Sequence, residues 1–463
     1  MLKSYIHFGY VNPRTDDLTN FNFKYEVCMS ALLLARIQFA FTIGFHFLFP
    51  AMTLGTTLII LISETLYLVK KDDTYKKITD FLVKLLGLIF VIGAATGIVM
   101  EFSFGTNWSG YSRAVGDIFG PILAAEGVIA FFLESVFLGV LLFARDKVSP
   151  KVYWLSALLV FVGGHLSAFW IVVANSWMQT PAGYTLNEAG KIVLGNFTDA
   201  VFNPSTIIRY VHTIIASWIT SAVMVAGIAG YYVRKGLYGG TARTMLKIGI
   251  ILFAVTPVLQ LGAGHGHAIE VINMQPEKAA ALEGHFQTSR GAPLYALGYV
   301  DEQNEKTYGI YIPKALSFLY NFDWNSEIKG LKDFPKENWP PVNLTFQVYH
   351  IMVGVGMLLI ALGLLGAYLL WSGKLYNNKS YLWGLPFLIP LPHIAHETGW
   401  MAAEIGRQPW IIYKLMKTSD AASVVVSAGA ITFSLIMFCL IYLLLAVMFV
   451  KLFVKIVKKG PAV

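Results

Sequence analysis

Residues 31–69 read ALLLARIQFAFTIGFHFLFPAMTLGTTLIILISETLYLV. A bilayer core takes about 20 apolar residues as helix, and this run exceeds that. Its length calls for tilt or for extension beyond the membrane. Pro50 is a candidate break, because an internal proline removes a helix hydrogen bond. Starting the first span at residue 30, further apolar segments follow at about 78–104, 116–144, 153–178, 205–233, 244–264, 345–371, 381–406 and 422–456. The sequence therefore predicts an all-α polytopic membrane protein with about nine transmembrane helices.

Composition agrees. Of 463 residues, 56% are apolar and 13% charged, against about 45–50% and about 25% in soluble domains. This excludes a disordered chain or a collagen-like fibre and argues against a soluble enzyme. Two cysteines cannot build a disulfide framework or a four-cysteine metal site. A net charge of +8 could suggest nucleic acid, but in a membrane protein Lys and Arg in cytoplasmic loops explain it first, so no nucleic-acid partner is expected. Residues 1–29 lack the basic stretch, apolar core and cleavage site of a secretory signal and are expected to form an N-terminal extension.

Basic residues alternate between loops. Lys70, Lys71, Lys76 and Lys77 follow the first span; Arg145, Lys147 and Lys151 follow the third. Arg234, Lys235, Arg243 and Lys247 follow the fifth, Lys374 and Lys379 the seventh, and Lys451, Lys455, Lys458 and Lys459 mark the C-terminus. Between spans two and three, residues 105–117 hold only Arg113. The positive-inside rule places the N-terminus outside and the C-terminus in the cytoplasm, as an odd number of spans requires. Trp108, Trp177 and Trp410 are expected in an outer aromatic belt. The chain divides into the extension 1–29, helices one to six (30–264), an external loop 265–344, and helices seven to nine with the basic tail (345–463). Loops beyond about 12–15 residues are usually functional or disordered.

A charge at the centre of a span costs about 2.5–3.5 kcal/mol, so ionisable residues there are functional candidates: His46, Glu64, Glu126, Glu134, His165 and His212, with His393, His396, Glu397 and Glu404 nearer the outer end of the eighth span. At about 1.5 Å per residue, His212 and Met352 both lie about two turns below the outer surface. Histidine and methionine together form a known axial pair for haem iron, although methionine is also a common core filler. His46 lies roughly 20 Å into its span on the same arithmetic, among Phe45, Phe47 and Phe49. It suits a haem ligand, or a core histidine bonded to a carbonyl. Glu126 and Glu134 are eight positions apart on one span, so both can face the bundle interior as a proton relay, or as protonated structural carboxyls. His165, beside Gly163, Gly164 and Ser167, is expected to be structural. No phosphate-binding loop, dinucleotide fingerprint, CxxC pair or catalytic-triad motif is present.

The runs ARIQFAFTIGFHFLFPAMTLG, ATGIVMEFSFGTNWSGYS, GDIFGPILAAEGVIAFFLES, IVVANSWMQTP and HETGWMAAEIGRQPW resemble subunit I of cytochrome bd quinol oxidases, from about residue 33 to the final span. FGTNW and GRQPW carry most of the specificity. The resemblance implies that His212 and Met352 ligate the low-spin haem b558. It implies that His46 and Glu404 ligate the two high-spin haems, b595 and d (or a further b haem in place of d). Glu126 matches an acid beside the oxygen-reducing haem and Glu134 an acid on the proton route; Trp400 and Arg407 match residues lining the haem pair. Lys278 and Glu283 match the quinol-site pair of the external Q-loop. That loop is short, and HETGW with QPEKAAALEG looks closer to the cyanide-insensitive branch. Where many relatives carry arginine two places before the haem methionine, this chain has His350.

The resemblance further implies a heterodimer with a helical subunit II, sometimes with small single-span subunits, in the prokaryotic cytoplasmic (inner) membrane. The expected reaction oxidises membrane quinol at the outer face and reduces O2 to water. Protons come from the cytoplasm, so charge separates without a pump, at about 2.3 kcal/mol per proton per 100 mV. A proton-coupled transporter is the alternative; it accounts for Glu126 and Glu134 but leaves the depth match of His212 and Met352 unexplained.

Overall fold

The computed structural model describes residues 15–188 and 190–461. The first fourteen residues of the expected extension lie outside the described residues; from Thr15 the chain is already in helix α1 (Thr15–Lys70). Pro50 lies inside α1 without ending it, so the expected break does not occur.

Helix α2 (Asp73–Thr106) starts at Asp72, whose carboxylate accepts from the Thr74 N–H at 2.9 Å, satisfying one of the first-turn donors that a helix leaves open. Helix α3 (Ser109–Ala125) passes into a π-helical turn, Glu126–Phe131, and then α4 (Phe132–Phe143). No residue pattern marks this wider turn, and such turns are frequent at functional sites. Ser149 caps α5 (Pro150–Gln179), with Pro150 in the first turn, where its missing N–H costs nothing. A short hairpin, β1 (Tyr184–Leu186) and β2 (Ile192–Leu194), and α6 (Phe197–Val201) lead to α7 (Thr206–Lys235). Helix α7 ends on the left-handed Gly236 after Arg234 and Lys235, a glycine stop with cations at the negative end of the helix dipole.

Helix α8 (Gly239–Met274) runs ten residues past 264, the end expected for the sixth span. The segment before α11 (Val342–Trp371) is ordered. It holds α9 (Pro276–Leu282), strands β3 (Ser289–Arg290), β4 (Leu294–Asp301) and β5 (Lys306–Ile312), α10 (Ala315–Asn321) and β6 (Glu327–Ile328). Strands β4 and β5 form an antiparallel hairpin and β3 pairs with β6. Phe286, Val300, Leu331 and Phe346 form a small core beneath them.

Eight helices are long and apolar enough to cross a membrane among the described residues. The remaining expected span is built in pieces: α12 (Lys379–Gly384), a 3-10 turn at Leu385–Leu388, and α13 (Pro390–Ile405). Pro386, Pro390 and Pro392 remove backbone donors and prevent one continuous α-helix. After it come β7 (Trp410–Ile412), β8 (Met416–Lys417), α14 (Thr418–Ala421) and α15 (Ala428–Lys459).

Helix α1 packs against α2, α5, α7 and α15. Helix α7 is the most enclosed of the long helices, and α15 the least. A Cβ at Gly55 of α1 would lie 2.6 Å from the Ser217 carbonyl oxygen of α7, so glycine sets that close approach, as small residues do between membrane helices. Two of the expected belt tryptophans are instead core residues. Trp177 is fully buried, edge-on to Phe119 at 5.6 Å, with its indole N–H donating to the Ala182 carbonyl at 2.8 Å. Trp108 is buried in the same cluster. Tryptophan's large apolar body and single donor suit a packed site with one acceptor as well as an interface.

Candidate functional site

His46 on α1 faces α2. Its Nδ1 lies 3.0 Å from Thr96 Oγ1. The Thr96 hydroxyl proton is directed to the carbonyls of Ile92 and Gly93, at 2.9 and 3.0 Å. Thr96 Oγ1 must therefore accept, His46 Nδ1 carries the proton, and Nε2 presents a lone pair. The bond made by one ring nitrogen commonly fixes the ligand role of the other in this way. A Cβ at Gly97 would lie 3.0 Å from His46 Cε1, so glycine leaves room beside the ring.

His212 on α7 keeps a buried Nδ1 with no hydrogen-bond partner. It faces α8, where His267 stands edge-on at 5.2 Å and Gly264 clears the ring. Met352 on α11 presses its Sδ toward Gly399 of α13; a Cβ there would come within 2.6 Å of the sulfur. A buried imidazole nitrogen with no competing partner, and a thioether sulfur at a close helix crossing, are donors suited to an iron that brings its own macrocycle.

Glu404, near the end of α13, accepts from Asn175 Nδ2 at 2.9 Å and Gln179 Nε2 at 3.2 Å on Oε1. Its Oε2 accepts from Arg407. An ionised carboxylate oxygen has two acceptor sites, so Oε2 retains one for a further partner. Arg407 is buried, with Nε donating to the Trp410 carbonyl at 3.3 Å and one terminal nitrogen unpartnered. Trp400 lies one turn before Glu404 on α13.

Glu126 opens the π-helical turn and accepts from Ser167 Oγ at 3.0 Å. Glu134 is buried against the glycine pair of α5; a Cβ at Gly164 would lie 3.2 Å from its Oε1. That oxygen has no hydrogen-bond partner. Both acids thus meet α5, one turn apart along it, although the wider turn invalidates the regular-helix arithmetic that suggested a shared face. His165 is a satisfied core histidine, bonded through Nδ1 to the Phe161 carbonyl at 2.7 Å and accepting from the Trp218 indole at 3.1 Å.

Lys278 and Glu283, both on or beside α9, are buried but do not pair. Lys278 Nζ donates to Gln179 Oε1 at 3.0 Å, the Ala403 carbonyl at 2.8 Å and Gln275 Oε1 at 3.3 Å. Burial, reinforced by nearby Arg209, lowers its pKa, while the Glu404 and Glu270 carboxylates favour the charged ammonium. Glu283 Oε1 accepts from Tyr320 at 3.2 Å, while Oε2 is unpartnered. Burial pushes the Glu283 carboxyl up to about 7, with the Tyr320 and Tyr349 hydroxyls pulling the other way. His350 ties α11 to the segment between α8 and α11, its two ring nitrogens 2.8 Å from the carbonyls of Phe346 and Tyr295.

Several polar residues here were not singled out from the sequence. Gln179 and Asn175 hold Glu404. Arg209, three residues before His212, is buried with two nitrogens that make no hydrogen bond, and both Glu270 oxygens on α8 lack a hydrogen bond, one lying 3.9 Å from His267 Nε2. The spacing of Arg209 from His212 puts them on one helix face, which was available as a signal. Asn175 and Gln179 lie more than two hundred residues from Glu404 and carried none.

A family model described as cytochrome bd terminal oxidase subunit I matches residues 34–461. The chain is 39% identical to cytochrome bd ubiquinol oxidase subunit 1 of Bacillus subtilis (strain 168), covering 93% of this chain and 94% of that one. It is 32% identical to cytochrome bd-II ubiquinol oxidase subunit 1 of Escherichia coli (strain K12), covering 93% and 96%. The solved bd oxidase of Geobacillus thermodenitrificans superposes with a TM-score of 0.87 at 29% identity, covering 93% of this chain and 99% of that one.

Proposed function

The chain belongs to the cytochrome bd terminal oxidase subunit I family, and within that family's quinol-oxidising activity we propose the following division of labour among its residues. It is a multi-pass protein of the prokaryotic inner membrane and one subunit of an oxidase that also contains subunit II. His212 and Met352 hold the low-spin haem b558, and His46 and Glu404 hold the two high-spin haems, b595 and d or a second b haem. When bound, the haems supply the electron transfer and the oxygen chemistry.

The chain's own residues bind, orient and move protons. Quinol docks at the external segment, where the deprotonated Glu283 carboxylate accepts a hydroxyl proton. Tyr320 and Tyr349 hold that carboxylate, and released protons leave on the outer side. Thr96 fixes the His46 tautomer. Asn175, Gln179 and Arg407 hold the Glu404 carboxylate charged, and Trp400 lines the same wall. Protons for water are drawn from the cytoplasm by way of Glu134 and then Glu126, both against α5. Two quinols and one O2 give two quinones and two waters, and the transmembrane charge arises from where the protons are released and consumed.

The observation that carries this reading is Met352 seated on Gly399, five residues from Glu404 on the same helix. It supports a low-spin ligand beside the element that bears a high-spin ligand. The test is a reduced-minus-oxidised spectrum with pyridine haemochrome analysis of the complex expressed with subunit II. Low-spin b bands that vanish in His212→Ala and Met352→Leu, with high-spin bands that vanish in His46→Ala and Glu404→Gln, are expected. High-spin bands unchanged by both of the latter substitutions would overturn the ligand assignment.

A further inference from the structure

We propose that Gln179 is a positioning residue that transmits the charge of Lys278, on the external segment, to the carboxylate of Glu404. This role rests on the reading of Glu404 as an iron ligand and goes beyond it by giving Lys278 a partner other than quinol.

All three protons of the Lys278 ammonium have acceptors within the protein: Gln179 Oε1, Gln275 Oε1 and the Ala403 carbonyl. The lysine stem passes over Gly406, where a Cβ would come within 3.0 Å of Lys278 Cγ. Gln179 is fully buried and turns its Nε2 to Glu404 Oε1 at 3.2 Å and to the Ala403 carbonyl at 3.3 Å. An ammonium only donates and a carboxylate only accepts. A side chain bridging the two must therefore accept at one end and donate at the other, which the glutamine amide does. Leucine makes neither bond, and glutamate cannot donate to Glu404.

The bridge is held rigidly. In the turn that carries Gln179, Ser176 Oγ lies 2.8 Å from Thr206 Oγ1, and Thr180 Oγ1 lies 2.7 Å from Ser205 Oγ, all buried. Movement of α9 thus changes the charge felt at Glu404. Loss of the bridge removes positive potential from the carboxylate, strengthens its donation to ferric iron and lowers the potential of that high-spin haem.

The experiment compares Q179L, K278M, the double variant and E404Q, each as the haem-loaded complex with subunit II, by spectroelectrochemical titration. Low-spin haem content serves as the folding control. Q179L and K278M are each expected to lower the high-spin potential by the equivalent of tenfold in the ferric/ferrous ratio, about 59 mV for one electron. The double variant is expected to shift no further, as for two links of one chain. Quinol KM stays within twofold while kcat falls. Should Q179L lose all haem, Q179E preserves the shape and is expected to give the same downward shift. Unshifted potentials in the Gln179 variants, additive shifts, or a Lys278 effect confined to KM overturn the proposal. A silent E404Q would overturn the ligand reading itself; a perturbed E404Q beside silent Gln179 variants would overturn the bridge alone.

Discussion

Thr96 Oγ1 accepts from His46 Nδ1 at 3.0 Å while its own proton goes to the carbonyls of Ile92 and Gly93. The relationship fixes which imidazole nitrogen is free, and it ties α1 to α2 at the level of the proposed iron ligand. Thr96→Val keeps the volume and removes the acceptor. The ring then loses its orienting partner, and a loss of about 10–100-fold in metal affinity or activity is typical for such outer partners. The expected outcome is a complex with reduced occupancy of one high-spin haem and normal low-spin bands, read by haem quantitation. Wild-type occupancy and turnover would show that Thr96 does not orient a ligand.

Glu134 is buried with one oxygen unpartnered. Glu134→Gln retains the shape and removes the transferable proton. Oxygen consumption is expected to fall at least tenfold while the reduced spectrum stays nearly unchanged. Full turnover in this variant would argue against the relay along α5.

Burial places the Glu283 carboxyl at about 7, above the usual carboxylate range. A carboxyl raised in the folded state is held in its neutral form, so its contribution to stability is present below the unfolded pKa of about 4.3 and is lost as pH rises through about 7. The same sign governs quinol oxidation: the proton-accepting carboxylate forms only as pH rises. The value of kcat/KM for quinol should climb through pH 6–8 on the order of tenfold per unit below the inflection, and Glu283→Gln should flatten that limb. An unchanged pH profile in this variant would falsify the assignment.

Arg145 donates to Glu64 at 2.9 Å and forms an ion pair with Asp80 at 3.0 Å, and its guanidinium lies 4.1 Å from the centre of the Tyr153 ring. Glu64 is fully buried. Arg145→Leu leaves that carboxylate unpaired, and breaking a buried pair typically costs about 3–5 kcal/mol. Thermal loss of haem absorbance should come at lower temperature in Arg145→Leu and be largely restored by adding Glu64→Gln. Equal melting of the single variant and the parent would show that the cluster contributes nothing.

The segments that cross the membrane, and the ionisable residues within them, were legible from the sequence alone. Apolar length and the cost of burying charge are local properties, so they survive without knowledge of the neighbours. The same holds for the basic runs between helices and for the resemblance carried by FGTNW and GRQPW. Position in space was decided by the tertiary structure. Trp177 sits in the core because Phe119 of another helix packs against it, a contact that no short window of sequence contains. The π-helical turn at Glu126 depends on how backbone groups find partners after packing, whereas the broken eighth span follows from prolines already in the sequence. Lys278 and Glu283 stand five residues apart and read as a pair, yet their polar atoms go to separate partners. Residue type and spacing say which groups are costly to bury. Only the packed bundle, which must satisfy each buried donor and acceptor, decides what they meet.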